Sequence, residues 1–132
     1  MGTWMGKGEL MELADDVAGI ARRWLGYDYA GVLIRQSAQR FPEERMLQKN
    51  QALKVLFLAY DTYAEGLDPP GRESLLVLKI YVLLEVGRRR PEYLSNTRKL
   101  AIYARLAYYK AKVFWRLYGS KRKAGGRDKG VG

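Results

Sequence analysis

Apolar residues recur along this chain at helical spacing almost from its start. Between Glu9 and Leu25 they fall at Leu10, Leu13, Val17, Ile20, Trp24 and Leu25. Steps of three and four place them on one face of a helix. Glu9, Glu12, Asp15 and Asp16 lie early in this segment and Arg22 and Arg23 late, the order that suits the helix dipole. Gly26 is a stop signal, and Asp28 is placed to cap a second, shorter helix to about Arg40. Phe41-Pro42 interrupts the pattern. Pro42 suits the first turn of a third helix, with Glu43 and Glu44 behind it, running to about Glu65 and ended by Gly66.

The stretch GLDPPG (66–71) reads as a linker. A fourth helix is expected from about Arg72 to Val86. Its residues from Leu75 to Leu84, Lys79 excepted, are apolar around the whole circumference, and a helix of that kind is buried on all sides. That implies either a central helix or a subunit interface. GRRRP (87–91) breaks the chain again, and a last helix follows from about Glu92 or Ser95 to Tyr118, with Gly119 as its stop. At 1.5 Å per residue it would be roughly 35–40 Å long. No repeat and no convincing strand is visible. The expectation is an all-α helical bundle with two shorter N-terminal helices and a kink at Pro42. Residues 1–8 read as an N-terminal arm, 9–118 as one domain, and 119–132 as a flexible, basic, glycine-rich tail.

Charge changes this picture. Residues 1–92 carry 13 Lys/Arg and 13 Asp/Glu, whereas residues 93–132 carry 11 Lys/Arg and one acid, Asp128, so the whole net charge of +10 lies in the last third. Such asymmetry points to a polyanionic partner. On the last helix, Leu100, Ala104, Ala107, Ala111, Phe114 and Tyr118 form one apolar face, expected to pack. Arg98, Arg105, Tyr109, Lys112 and Arg116 form a separate stripe, extended by Lys121, Arg122 and Lys123. No acid stands at i,i+4 to pair these cations. A solvated face is the plain alternative to a phosphate-facing one.

A second candidate surface is the polar stretch 34–51, with Arg35, Arg40, Arg45 and Lys49 among several Gln and Asn. Arg and Gln both donate to phosphate oxygens, although Glu43 and Glu44 are also placed to pair with Arg40 and Lys49. Arg88, Arg89 and Arg90 end an apolar helix. The dipole accounts for one of them, and phosphate contact is open to the others. The cluster at 121–123 reads equally as a localisation signal or a solubilising tail. The ten tyrosines suit interfaces as well as a core.

Catalytic chemistry has little to work with. The chain has no cysteine and no histidine, which removes disulfides, thiolate metal sites and the commonest general base. Asp15-Asp16 and Glu43-Glu44 are adjacent pairs, and neighbours on a helix point about 100° apart. Gly2, Gly6 and Lys7 approximate a phosphate loop, but the spacing is one residue short and Gly8 stands where Ser or Thr belongs. No enzyme, cofactor or metal site is expected. The N-terminus lacks the apolar region of a secretory signal, and the run 75–86 is too short to span a bilayer.

In overall plan the chain resembles the major coat proteins of filamentous archaeal viruses. The likeness rests on size, the all-α pattern, the absence of His and Cys, a composition with only six Asn and Gln that suits a hot environment, and the polar segment around Pro42 ahead of an apolar bundle. The resemblance implies paired coat subunits, often two related proteins, wrapping linear double-stranded DNA held in A-form inside a helical virion assembled in the host cytoplasm. Segment 34–51 would then wrap the duplex, and helix 72–86 would hold subunits together. The strongest charge here is C-terminal, whereas the family implies N-terminal helices on the DNA. Three other readings use the same surfaces: a small helical subunit of a ribonucleoprotein such as a CRISPR effector, with RNA as the polyanion; a free DNA-binding regulator, which lacks a clear helix-turn-helix here; and a protein that lies on a membrane surface through Phe114, Trp115 and Leu117.

Overall fold

The computed structural model describes the backbone of residues 3–25 and 28–131, and the side chains of all of these except 24, 25, 28 and 119–131. The chain is an all-α bundle. Helix α1 (Lys7–Leu25) and helix α2 (Asp28–Arg40) form an antiparallel hairpin. Gly31 permits their close approach, since a Cβ there would lie 3.2 Å from the Ala18 methyl. The Lys7 ammonium donates to the Gln39 carbonyl at 2.8 Å and ties the two ends together. Gly26, and the side chains of Trp24, Leu25 and Asp28 to which packing and capping roles are ascribed above, lie outside the described residues.

The third segment differs from its expected form. Pro42 stands in a turn closed by the Arg45 amide on the Pro42 carbonyl, not in a helix. The helical part begins only at Lys49. It consists of α3 (Lys49–Leu56) and α4 (Leu58–Glu65), separated at Phe57. Phe57 is buried, and the break frees the Ala59 amide, which donates to the buried Ser37 hydroxyl on α2 at 2.9 Å. An unpaired buried amide is costly, so Ser37 makes the break tolerable. Nor are residues 1–8 simply an arm. Strand β1 (Trp4–Met5) pairs antiparallel with β2 (Leu47–Gln48), and Met5 is 0% exposed. Two-residue strands leave too short an alternation to read from a sequence.

Helix α5 (Pro69–Arg89) is the centre of the bundle, in contact with α1, α4 and α6. Its prolines form its first turn rather than a linker, because proline at the start of a helix lacks only an amide that has no helical acceptor. Gly87 does not end it either. A Cβ at Gly87 would meet Leu94 Cδ2 at 2.6 Å, so glycine is there to let the chain fold back through a 3-10 turn at Pro91–Tyr93. Leu75, Leu78, Ile80, Val82, Leu83 and Val86 are buried, and Leu76, Val77, Tyr81 and Leu84 are half-buried, which makes α5 a central helix. Near its middle, Lys79 reaches Asp61 at 2.8 Å and lies 5.3 Å from the Phe57 ring centroid, so the one cation in the apolar run is paired.

Helix α6 (Asn96–Val131) returns antiparallel to α5. Its 36 residues measure about 54 Å, against about 32 Å for α5, so it overruns the bundle. The backbone passes Gly119 without stopping, as extension of an existing helix costs far less than nucleation.

Replacing Met5 with Ala tests the strand contact. We expect a loss of about 2–5 kcal/mol, the cost of emptying a fully buried Met site, read as a lowered urea midpoint at unchanged slope. A loose arm would leave the midpoint where it is.

Candidate nucleic-acid interface

The spacing of α6 predicts its faces, and the structure reassigns them. Ile102, Leu106 and Tyr109 turn toward α5, and Leu106 is buried. The face expected to pack looks outward instead: Leu100 is 71% exposed, and Ala104, Ala107, Ala111, Phe114 and Tyr118 are exposed with it. The physical reason lies in α5. Its half-buried Val77 and Tyr81 accept the narrower Ile102–Leu106–Tyr109 stripe, and together with Val113 and Phe114 they bound a groove of about 320 Å³. A helix packed at one edge of a bundle buries a single stripe, and α6 carries two that would serve.

The basic stripe runs along the other side of that packing stripe. Arg98 bends over α3, and its Nη1 donates to the Asn50 carbonyl at 2.6 Å. Further along, Lys112 and Arg116 both close on Glu73 in the first turns of α5, Arg116 at 2.7 Å. The expectation that these cations have no acid is therefore corrected. The acid comes from another helix, which no i,i+4 count would find. Arg105, between them, has no acidic partner among the described residues.

The other candidates divide in the same way. Arg35 pairs with Asp15 at 2.9 Å, Arg88 and Arg89 share Glu85 at 2.6 and 2.8 Å, and Arg90 reaches Asp16 at 2.6 Å. Among the described residues Arg40 and Arg45 carry no ion pair, and neither Glu43 nor Glu44 pairs with Arg40 or Lys49. Lys49 lies 5.8 Å from the Tyr93 ring centroid. The side chains of Lys121, Arg122 and Lys123 lie outside the described residues.

What the fold brings together is the end of the polar segment and the start of the basic helix. Asn50, Gln51 and Lys54 of α3 line a groove of about 330 Å³ with Arg98 of α6 and the Lys79–Asp61 ion pair. Lys54 was not among the sequence candidates. Its signal was its place one turn after Asn50 and Gln51, on the exposed side of α3. Nearby, Lys99, Arg88 and Tyr103 border a second groove of about 350 Å³. Glu85 lies at its base, its carboxyl held below the usual range by the hydrogen bond from Arg88. These exposed, donor-rich grooves can accept anionic oxygens. Among the described residues no group of three or more acidic side chains gathers as a metal site would require. No helix there is long and apolar enough to cross a membrane.

No family model matches the chain, and no curated protein or solved structure matches it either.

The Glu73 cluster has a pH signature. Hydrogen bonds from Lys112 first and Arg116 second hold the Glu73 carboxyl below the usual carboxylate range, and the same contact raises Lys112. A depressed carboxyl favours the folded contact above its unfolded pKa, and that contribution disappears as pH falls through the folded value. We expect Glu73 to titrate below its ordinary range by carboxyl-carbon NMR. In the Lys112→Met/Arg116→Met variant its midpoint should return upward. Equal midpoints in the two proteins would mean that the clamp does not form in solution.

Proposed function

We propose that this chain is a structural nucleoprotein, a coat subunit that packages linear double-stranded DNA in a helical filament through sequence-independent phosphate contacts. One observation carries the reading. The entire net charge of +10 lies beyond residue 92, and where that basic helix meets α3 it presents Arg98 beside Asn50, Gln51 and Lys54, in a groove whose one lining acid, Asp61, is paired with Lys79. Neutralising phosphates with Lys and Arg releases counterions, and that term drives binding without regard to sequence. Arg105 continues the edge along α6. The side-chain amide N–H groups of Asn50 and Gln51 can donate to backbone oxygens, which positions a duplex without reading it.

On this reading the ion pairs elsewhere on the surface are subsidiary. Exposed pairs contribute little to stability, and Lys112 and Arg116 can exchange Glu73 for phosphate along the same stripe. Arg40 and Arg45, at the α2 end of the bundle, are candidates for a second strand contact or a neighbouring duplex turn. The residence of the protein is then the virion. RNA in a ribonucleoprotein is the competing polyanion.

The test uses linear duplex DNA. We expect the full chain to form regular filaments with it under electron microscopy, and binding to weaken steeply with salt. Lys54 and Arg105 are exposed and hold no ion pair among the described residues, so a Lys54→Ala/Arg105→Ala variant should fold normally. Its log–log salt slope should fall by about 1.8, roughly 0.9 for each lost phosphate contact. An unchanged slope with unchanged affinity would remove this edge from the interface. Preference for RNA over duplex DNA would favour the ribonucleoprotein subunit.

A further inference from the structure

We propose that the outward apolar face of α6 is a self-association surface, on which the α6 of a second copy of this chain lies antiparallel. The inference concerns a different face from the phosphate-facing edge and does not depend on nucleic acid.

The first support is spacing. Leu100, Ala104, Ala107, Ala111, Phe114 and Tyr118 are separated by four, three, four, three and four residues. That is the alternation of the a and d positions of a coiled-coil seam. Apart from Phe114, which borders the groove against Val77 and Tyr81, the face is not used among the described residues, because α6 packs on α5 through Ile102, Leu106 and Tyr109.

The second is area. Leu100, Tyr103, Tyr108, Phe114, Trp115, Leu117 and Tyr118 are each 46–71% exposed. A buried aromatic side chain covers about 150–250 Å², so together these residues leave roughly 700–900 Å² open. The largest apolar patch of a typical monomer is about 300–600 Å². A stable specific interface buries about 800 Å² on each partner. The exposed face is thus the size a dimer needs and more than a monomer ordinarily leaves.

The third is shape, and it selects the orientation. The seam is small in the middle and bulky at its ends. Antiparallel pairing centred between Ala107 and Ala111 sets Ala107 against Ala111 of the second copy, Ala104 against Phe114 and Leu100 against Tyr118. Beside the seam, Ala101 falls opposite Trp115. Phe114 then fills the space over Ala104 and Trp115 that over Ala101, while the Ala107–Ala111 layer lets the two helices approach closely, which is how close-packed interfaces fill. Parallel pairing would stack Phe114 on Phe114 and leave alanine facing alanine at three levels. A helix lying on lipid has no use for a narrow alanine centre, since membrane binding grows with the bulk of the buried face.

The fourth is charge. Arg98, Arg105, Lys112 and Arg116 lie on the opposite side of α6 from the seam's centre, so they need no desolvation. Lys110 alone among the described charged residues flanks the seam. In the antiparallel pair it meets Lys110 of the second copy near the axis, a repulsion that salt screens. Self-association should therefore strengthen with salt, whereas phosphate binding weakens. The two readings can fail independently.

The experiment is sedimentation equilibrium of the full chain without nucleic acid, from low to high salt. A concentration-dependent dimer that tightens with salt is expected, and Ala107→Glu should abolish it while leaving the helical circular dichroism unchanged, because Ala107 is exposed. The absence of cysteine makes crosslinking clean. An equimolar mixture of Ala107→Cys and Ala111→Cys proteins should form the mixed disulfide under mild oxidation in preference to either homodimer. Preferential self-linking of Ala107→Cys would overturn the antiparallel pairing. A protein that stays monomeric at 100 µM would overturn the proposal, as would dimerisation unaffected by Ala107→Glu.

 Binding to vesicles of equal phosphatidylcholine and phosphatidylserine by a chain that stays monomeric in solution would assign the face to a membrane surface instead, and would equally overturn it.

Discussion

A helix that is apolar around its full circumference has to be enclosed, and α5 imposes that condition on everything else here. Water excluded from all its sides must be replaced by other helices, because each exposed apolar side chain forfeits the free energy of its burial. Helices α1 and α4 cover part of α5, and α6 packs on another side. The sharp return at Gly87 and Leu94 follows from the same need, since α6 can lie close to α5 only if the chain turns within a few residues. Even the Phe57 break serves it. By dividing the third segment there, the chain puts Phe57 in the core and Asp61 within reach of Lys79, the one cation of α5 that must go inward.

Enclosing α5 also decides how the charges are spent. Asp15, Asp16, Glu73 and Glu85 all lie on α1 or α5; the first three hold arginines or lysines from other elements, and Glu85 holds Arg88 and Arg89 of its own helix. The contacts of Asp15, Asp16 and Glu73 stitch the outer ends of helices together. Among the described residues they leave other cations without acids: Lys54 and Arg98 lie where α3 meets the start of α6, Arg105 follows along α6, and Arg40 and Arg45 lie at the end of α2. A surface read from charge totals looks uniformly basic in its last third. The folded surface is a patchwork of satisfied pairs with an open basic edge.

Helix α6 faces three environments at once. One stripe is taken by α5, a second carries cations, and the third is wide, apolar and outward. Such a helix suits an assembling protein, because one element can hold the fold, meet a polyanion and meet another subunit without any of these excluding the others. The stacked rings of Phe114 and Tyr118, 5.6 Å apart, with Trp115 edge-on to both, thicken the distal end of the apolar stripe.

The sequence by itself determined that the chain is helical, where α1 and α2 lie, that the run 75–86 is enclosed on all sides, and that the basic charge is C-terminal. Those properties are local or additive: a period of three to four residues, an all-round apolar helix and a sum of charges can each be read without knowing what lies next to what. Only the tertiary structure decided the rest. The pairing of Trp4 and Met5 with Leu47 and Gln48 joins residues more than forty positions apart through backbone groups that every residue carries. Glu73 neutralises Lys112 and Arg116 across a helix interface, so their missing i,i+4 partners were no sign of free charge. And α6 offers two stripes of suitable spacing, between which only the shape of α5 could choose. Periodicity says that a helix has an apolar face. Which face meets a neighbour depends on the neighbour's surface, and no stretch of a single helix records that.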